Sequence, residues 1–259
     1  MIAVLAAAAI APFFLETTSE VRSAYQTLGK IVEDRPMQVT NIRVGCGAGA
    51  FGRLGIRNLD VSSLTDRRHD VHRHALYSTG FGPMWQYDFA VAGGWRLKGE
   101  LTRSWTLHRG YENRSSDRTY HWYQLDQSVE NPYLVPFCRA RKCFRGNDYF
   151  YFKSGVRRKF VLANDLYVTP SVFAEGGSSR NQKRVFGDKR GGGNWRRGVS
   201  SVSVRLEFGW RISECVSMFA FVEQYEVAGG DGRRTTRASS YCCAHNDWTH
   251  GGIGIRMKF

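Results

Sequence analysis

From Trp85 onward apolar and polar residues alternate. Tyr87, Phe89, Val91, Leu97, Leu101, Trp105 and Leu107 hold the odd positions, while Gln86, Asp88, Arg96, Lys98, Glu100 and Thr102 hold even ones. A period of two belongs to extended chain, in which successive side chains point to opposite faces. The apolar face does not change across Gly93-Gly94, so the connecting loop has an odd number of residues. A three-residue loop, Gly93-Gly94-Trp95, sets Val91 opposite Leu97 and Tyr87 opposite Leu101.

The same parity argument holds around three other short breaks. About Ala48-Gly49-Ala50, Val44 meets Leu54 and Ile42 meets Ile56. About Ala163-Asn164-Asp165, Leu162 meets Leu166, Phe160 meets Val168 and Val156 meets Val172. About Ser213-Glu214-Cys215, Ile212 meets Val216, Trp210 meets Met218 and Leu206 meets Val222. The opposite ends of these hairpins are joined by long polar segments over 60–74, 176–198 and 228–246. Short turns at one rim and long loops at the other describe a transmembrane antiparallel β-barrel with periplasmic turns and extracellular loops.

The clear strands number nine: 38–47, 51–59, 74–92, 96–108, 149–162, 166–175, 199–212, 216–227 and 247–259. A barrel of this class needs an even number. Residues 20–30 supply one more, and 118–125 with 131–141 supply a further pair beneath the long segment 110–148. The expectation is an all-β barrel of about 12 strands, with 10 as the fallback. Residues 20–32 also fit an amphipathic helix through Val21, Ala24, Leu28 and Val32. Pro83 and Pro170 fall inside strands, where a missing N–H removes a ladder bond and a bulge is the expected repair.

The chain stops on Ile253-Gly254-Ile255-Arg256-Met257-Lys258-Phe259, an apolar-faced strand with nothing after it. Ile253, Ile255, Met257 and Phe259 resemble the C-terminal assembly signal of bacterial outer-membrane β-barrels. Ser23-Ala24-Tyr25-Gln26-Thr27-Leu28-Gly29-Lys30, followed by Pro36 and Val39, resembles the first hairpin of outer-membrane porins of the TorF type. Asn131-Pro132-Tyr133-Leu134, followed by Gly146 and Tyr149, is similar to their middle section. This resemblance spans most of the chain after Thr17. It implies a channel of roughly 12 strands in the bacterial outer membrane, with lipid, lipopolysaccharide and the barrel-assembly machinery as partners. The cysteines and the basic balance depart from it, so no substrate preference carries over.

Composition agrees with this architecture. At 259 residues the chain has the length of one large all-β domain or of two smaller ones. Mean hydropathy of −0.40 hides a lipid-facing row that only alternation reveals. The apolar run from Met1 to Leu15 falls short of the roughly 20 residues of a spanning helix. Ala9-Ile10-Ala11 reads as a small-residue cleavage site, so residues 1–16 are expected as a signal peptide and 17–259 as the barrel. The stretch lacks a basic leader, which suggests a truncated start; a buried Ala-rich helix is the competing reading. Export would place all six cysteines in an oxidising compartment. Cys138 and Cys143 are spaced to close a small loop, Cys242 and Cys243 are adjacent, and neither pair has zinc-ligand spacing.

If the apolar parity faces lipid, the other parity lines the interior. It carries Arg43, Arg53, Arg57, Arg96, Lys98, Lys153, Arg157, Lys159, Arg205, Arg211, Arg256 and Lys258 against Asp88, Glu100, Glu175, Glu207 and Glu223. A low-dielectric wall focuses such a field and concentrates anions. The expected function is a channel for passive diffusion of small hydrophilic solutes, with anions preferred. The competing reading is that these arginines pair with lumen carboxylates and merely fill the barrel, as Arg205 opposite Glu223 would.

A net charge of +14 suggests nucleic acid in a cytosolic protein, but here the cations are spread along alternating strands without a recognition motif. No nucleic-acid partner is expected. Arg67, Arg68, Arg233, Arg234 and Arg237 fall in outer loops, solvated or against lipopolysaccharide. His69, His72 and His74 have a spacing that suits a transition metal, though solvated histidines are commoner. His121 or His250 with loop serines would serve an outer-membrane enzyme acting on lipid or peptide, but no nucleophile motif accompanies them. Gly191-Gly192-Gly193 precedes no helix and is not a phosphate cradle. No catalytic residue, cofactor or metal is therefore assigned; a barrel enzyme is the second reading and a secreted soluble β-sandwich or adhesin the third.

Overall fold

Long strands with one apolar face leave a row of unpaired backbone groups at each sheet edge, and closure into a cylinder removes both edges. A computed structural model describes residues 12–27, 30–33, 36–47, 52–63, 77–109, 118–145, 148–180, 197–228 and 247–259. Twelve long strands close an antiparallel barrel: β1 (Phe13–Arg22), β4 (Met37–Cys46), β5 (Arg53–Ser63), β6 (Tyr77–Val91), β7 (Trp95–Arg109), β8 (Arg118–Glu130), β9 (Val135–Arg145), β10 (Tyr149–Arg157), β12 (Leu166–Gly177), β13 (Gly198–Arg211), β14 (Val216–Val227) and β15 (Asp247–Lys258). Each pairs with its neighbour in this order, and β15 returns to β1. The closing pair continues past the strand ends, where Leu15 N–H donates to Phe259 O at 2.9 Å and Phe259 N–H to Leu15 O at 2.8 Å. Between β1 and β4 lies a separate small hairpin, β2 (Tyr25–Thr27) with β3 (Lys30–Glu33).

The strand count of twelve is as expected, but the first strand is displaced. It runs from Phe13, not Glu20, so the boundary drawn at residue 16 cuts into the wall. Residues 1–11, with the cleavage motif, lie outside the described residues. No helix forms over 20–32 among the described residues; β1 ends at Arg22 and the small hairpin follows. The reason is visible in the outward row of β1, Leu15, Thr17, Ser19 and Val21, which is half polar and therefore gives little contrast against Glu16, Thr18, Glu20 and Arg22.

Two of the four hairpins have the expected register: Phe160 faces Val168, Val156 faces Val172, Trp210 faces Met218 and Leu206 faces Val222. The other two are offset by two residues. Val91 faces Trp95 and Tyr87 faces Gly99, while Cys46 faces Leu54 and Val44 faces Ile56. A two-residue offset leaves every side chain on its own face, so parity alone does not detect it. Packing selects the register in the first case. Gly93 and Gly94 take φ of 76° and 79°, conformations that glycine adopts without strain. The Tyr87 ring lies on Gly99, where a Cβ would stand 2.3 Å from it. In the second case the turn itself, residues 48–51, lies outside the described residues.

The prolines are accommodated by gaps and not by bulges. β10 breaks at Arg158 and Lys159, opposite Pro170, and resumes as β11 (Phe160–Val161) without a register change. The pairing of β6 with β7 likewise skips Gly82 and Pro83 and continues in the same register. Ladder bonds are lost locally while the inside and outside rows stay in phase.

Cys138 and Cys143 do not pair. Five residues apart on β9, they point to opposite faces, Cys138 exposed on the outside and Cys143 buried within. Cys242 and Cys243 lie outside the described residues.

Candidate functional site

The interior begins with alternation. On β14 Phe219, Phe221, Glu223, Tyr225 and Val227 are buried inside while Ala220, Val222, Gln224 and Glu226 are exposed outside. The terminal strand behaves alike: Ile253 and Phe259 are exposed on the outer surface, and His250, Arg256 and Lys258 belong to the inner row. By the same alternation and cross-strand register, all seventeen charged residues assigned to the interior from sequence fall on the inner rows, Lys159 in the break between β10 and β11. The strands whose faces the sequence does not resolve add others: Glu16, Glu20 and Arg22 on β1, Gln124, Asp126 and Glu130 on β8, and Arg139 and Arg141 on β9. The additions are three cations against four carboxylates, so the lumen is closer to electrical balance than the sequence count indicates.

Glu100 on β7 is the hub of one wall. It accepts from Arg43 Nε at 2.7 Å, Arg57 Nη1 at 3.0 Å, Gln86 Nε2 at 3.1 Å and Thr102 Oγ1 at 3.0 Å. Arg43 and Arg57 stand directly opposite each other on β4 and β5, and Glu100 stands opposite Asp126. Like charges in facing positions repel; here each arginine reaches past its neighbour to a carboxylate on another strand. Arg57 Nη1 also lies 3.9 Å from Asp126, which Arg139 neutralises from β9. Asp126 further accepts from Gln124, whose carbonyl receives Arg141 Nε at 3.0 Å and Nη2 at 2.7 Å.

Pairs continue around the circumference. Lys153 Nζ lies 3.0 Å from Glu175, and Arg205 lies 2.9 Å from Glu207 but 3.8 Å from Glu223, so the expected partner is the more distant one. Arg256 completes this side at 2.8 Å from Glu207. Nearer the short turns, Arg96 meets Asp88 at 2.8 Å, Lys98 meets Glu130 at 2.5 Å and Arg53 meets Glu16 at 3.1 Å. Pairing therefore neutralises most of the wall, as the competing sequence reading held.

Four inner cations make no ion pair among the described residues: Arg141, Arg157, Lys159 and Arg211. Each of the first three lies against an aromatic ring. Arg141 is 4.3 Å from the Trp122 centroid, Arg157 is 5.6 Å from Phe137, and Lys159 Nζ is 3.8 Å from Tyr167. Gly209 creates the room for Tyr167, since a Cβ there would stand 1.9 Å from the ring. The four occupy β9, β10, the break after β10 and β13, on one side of the cylinder.

Exposure changes along the axis. Arg53, Asp88, Arg96, Arg157, Lys159, Arg211 and Lys258, toward the short turns, are exposed, whereas Glu100, Gln124, Glu175, Ser203, Glu223 and His250 are buried. Farther out, Tyr120, Trp122, Tyr149 and Tyr151 pack together with Cys143, and Met37, Val39 and Val61 with Leu59. The interior is thus a vestibule at the short-turn end that narrows outward.

The histidines named as enzyme candidates lie apart. His121 is on the outer row, edge-on to Trp105 at 6.4 Å between centroids. His250 is buried inside, 4.0 Å from Glu223, and neither ring nitrogen has a hydrogen-bond partner among the described residues. His69, His72 and His74 lie outside the described residues, as do Arg67, Arg68, Arg233, Arg234 and Arg237.

No family model and no curated protein sequence matches the chain. Solved structures do. The COG4313 outer membrane channel from Pseudomonas putida F1 aligns over 96% of both chains with 6% identity and a TM-score of 0.56. The KdgM porin aligns over 95% of this chain and 99% of its own, with 10% identity and a TM-score of 0.47. Outer membrane phospholipase A from Escherichia coli aligns over 94% and 92%, with 14% identity and a TM-score of 0.45. The fold is that of a bacterial outer-membrane β-barrel.

Proposed function

We propose that the chain is an outer-membrane channel for passive diffusion of small hydrophilic solutes and that it favours anions. The carrying observation is the set of unpaired cations Arg141, Arg157, Lys159 and Arg211 on one side of an otherwise neutralised lumen. A paired arginine presents a dipole to a passing ion, and an unpaired one presents a net charge, so selectivity follows the unpaired residues and not the total. Aromatic contacts hold three of the four in place without cancelling their charge. Arg157, Lys159 and Arg211 are exposed in the vestibule, where an entering solute meets them first. Permeation by diffusion requires no catalytic step.

In this reading Ile253, Ile255, Met257 and Phe259 serve as the assembly signal for the barrel-assembly machinery. The segment before Phe13 serves as the export signal. Lipopolysaccharide contacts the outer surface. The solute class follows from charge alone: small anions, carboxylates and phosphates among them, without a named compound.

The test is single-channel recording of the purified, detergent-folded protein in planar bilayers, after heat-modifiable migration has established a folded barrel. Discrete conductance steps with a reversal potential on the anion side in asymmetric KCl are expected. A folded barrel that inserts without conducting would overturn the channel reading, and cation selectivity would overturn the anion preference.

A further inference from the structure

Two walls of the lumen differ in how fully their polar atoms are bonded. At Glu100 both carboxylate oxygens are met, one by Arg57 and Thr102 and the other by Arg43 and Gln86. The wall formed by β12 to β15 and β1 is different. Among the described residues, Glu175 Oε2, Ser201 Oγ, Ser203 Oγ, Arg22 Nε and both ring nitrogens of His250 are buried without a hydrogen-bond partner, and every such atom falls on this wall.

The strands bring these atoms together. Glu175 of β12 stands opposite Ser201 of β13, with Ser203 two residues along; Glu223 of β14 stands opposite His250 of β15, and Arg22 of β1 faces Gly252. All five unpartnered side chains belong to inner rows, so the wall aims them into the lumen. Glu175, Ser201, Ser203 and His250 are only 0–3% exposed. A buried donor or acceptor left unmet is costly, and folded proteins meet such groups with water or a ligand.

Charge does not choose the occupant. Arg22 pairs with Glu20, Lys153 lies 3.0 Å from Glu175, Arg256 lies 2.8 Å from Glu207, and Arg205 lies 2.9 Å from Glu207 and 3.8 Å from Glu223. Four cations thus balance four carboxylates, and neither a cation nor an anion gains a net field here. Hydrogen-bonding capacity does choose. The serine hydroxyls both donate and accept, a neutral imidazole presents one nitrogen of each kind, Glu175 Oε2 accepts and Arg22 Nε donates. Hydroxyl groups match such a surface throughout, whereas ethers only accept and ammonium groups only donate.

Resting on the reading of the chain as a channel, we propose that this wall is a binding step for small polyhydroxylated solutes on the path through the barrel. The vestibule sorts solutes by charge, and this wall sorts those that reach it by their hydroxyl groups.

The experiment mixes the folded protein in detergent with sorbitol and reads contact by saturation-transfer-difference NMR, which works whether or not the barrel conducts. Poly(ethylene glycol) of similar size and glutamine, a zwitterion, are the comparison solutes. The expected result is saturable transfer to sorbitol, several-fold above either. Ser201→Ala combined with Ser203→Ala should reduce it several-fold, and so should His250→Phe. Ser104→Ala removes a buried hydroxyl that bonds Phe81 O at 3.2 Å on the Glu100 wall, and should leave it unchanged. Heat-modifiable migration establishes that each variant is folded. Transfer to sorbitol no greater than to the comparison solutes would mean that water alone meets these atoms and would overturn the proposal. Stronger transfer to glutamine, or equal signals from the parent and the double serine variant, would overturn it as well. A folded parent that takes up saturation on sorbitol but gives no current in planar bilayers refutes the channel reading and supports the site.

Discussion

Glu100→Ala tests whether the lumen is held by its ion-pair network or merely decorated with it. Four donors converge on this carboxylate, two of them arginines that face each other across β4 and β5. With 6% of its surface exposed, Glu100 is buried enough for its loss to leave, among the described residues, Arg43 with no carboxylate and Arg57 with only Asn41 at 2.9 Å and Asp126 at 3.9 Å. Breaking a buried pair by removing one partner costs about 3–5 kcal/mol, chiefly because the other charge stays behind. Replacing Arg43 and Glu100 together by methionine removes one stranded charge and should recover much of that loss. Urea unfolding from phospholipid vesicles, followed by tryptophan fluorescence, reads both variants. The single variant should also shift the reversal potential further toward anions, since loss of the carboxylate adds one net positive charge to the lumen. A Glu100→Ala protein within about 0.5 kcal/mol of the parent, the usual range for an exposed site, would refute the argument.

Three further outcomes follow from the inside and outside rows. Val222→Arg places a charge on the lipid face and should cost about 2–4 kcal/mol near the midplane by the same unfolding assay, whereas Ser203→Arg should be unable to act through lipid at all. Intact-mass analysis after alkylation should show Cys138 and Cys143 unlinked, and reductant should leave heat-modifiable migration unchanged. Removing Phe259 deletes both backbone bonds with Leu15 and one apolar side chain of the assembly signal; the fraction of chain reaching the folded, heat-modifiable form should fall in cells while detergent refolding is affected less.

How much was legible in sequence depended on contrast between the two rows. Where the outer row is uniformly apolar, as in Trp210, Phe208, Leu206 and Val204 of β13, strand and register follow from parity and turn length together. Where it is mixed, the signal fades: His121, Gln127 and Lys142 interrupt the outer rows of β8 and β9, and Thr17 and Ser19 that of β1. Those three strands supply Glu16, Glu20, Asp126, Glu130, Arg139 and Arg141, so the charge balance of the lumen was read without much of its acid. Offsets of two residues at Gly93 and Gly49 escaped for a different reason. Parity is blind to them, and the ring of Tyr87 on Gly99 is a packing fact that no alternation records. Pairing across several strands, such as Arg43 with Glu100, belongs to closure and has no local trace at all.

Ion preference set by unpaired vestibule cations is open to one direct comparison. Arg157, Lys159 and Arg211 are all replaced by glutamine, and the reversal potential in asymmetric KCl is measured beside that of the parent and of a control with Asp88→Asn and Arg96→Gln, which removes a neutralised pair. The expected result is an anion-selective parent, an unchanged control and a triple variant whose reversal potential moves toward zero. A triple variant as selective as the parent, or a control that shifts as far, would contradict it.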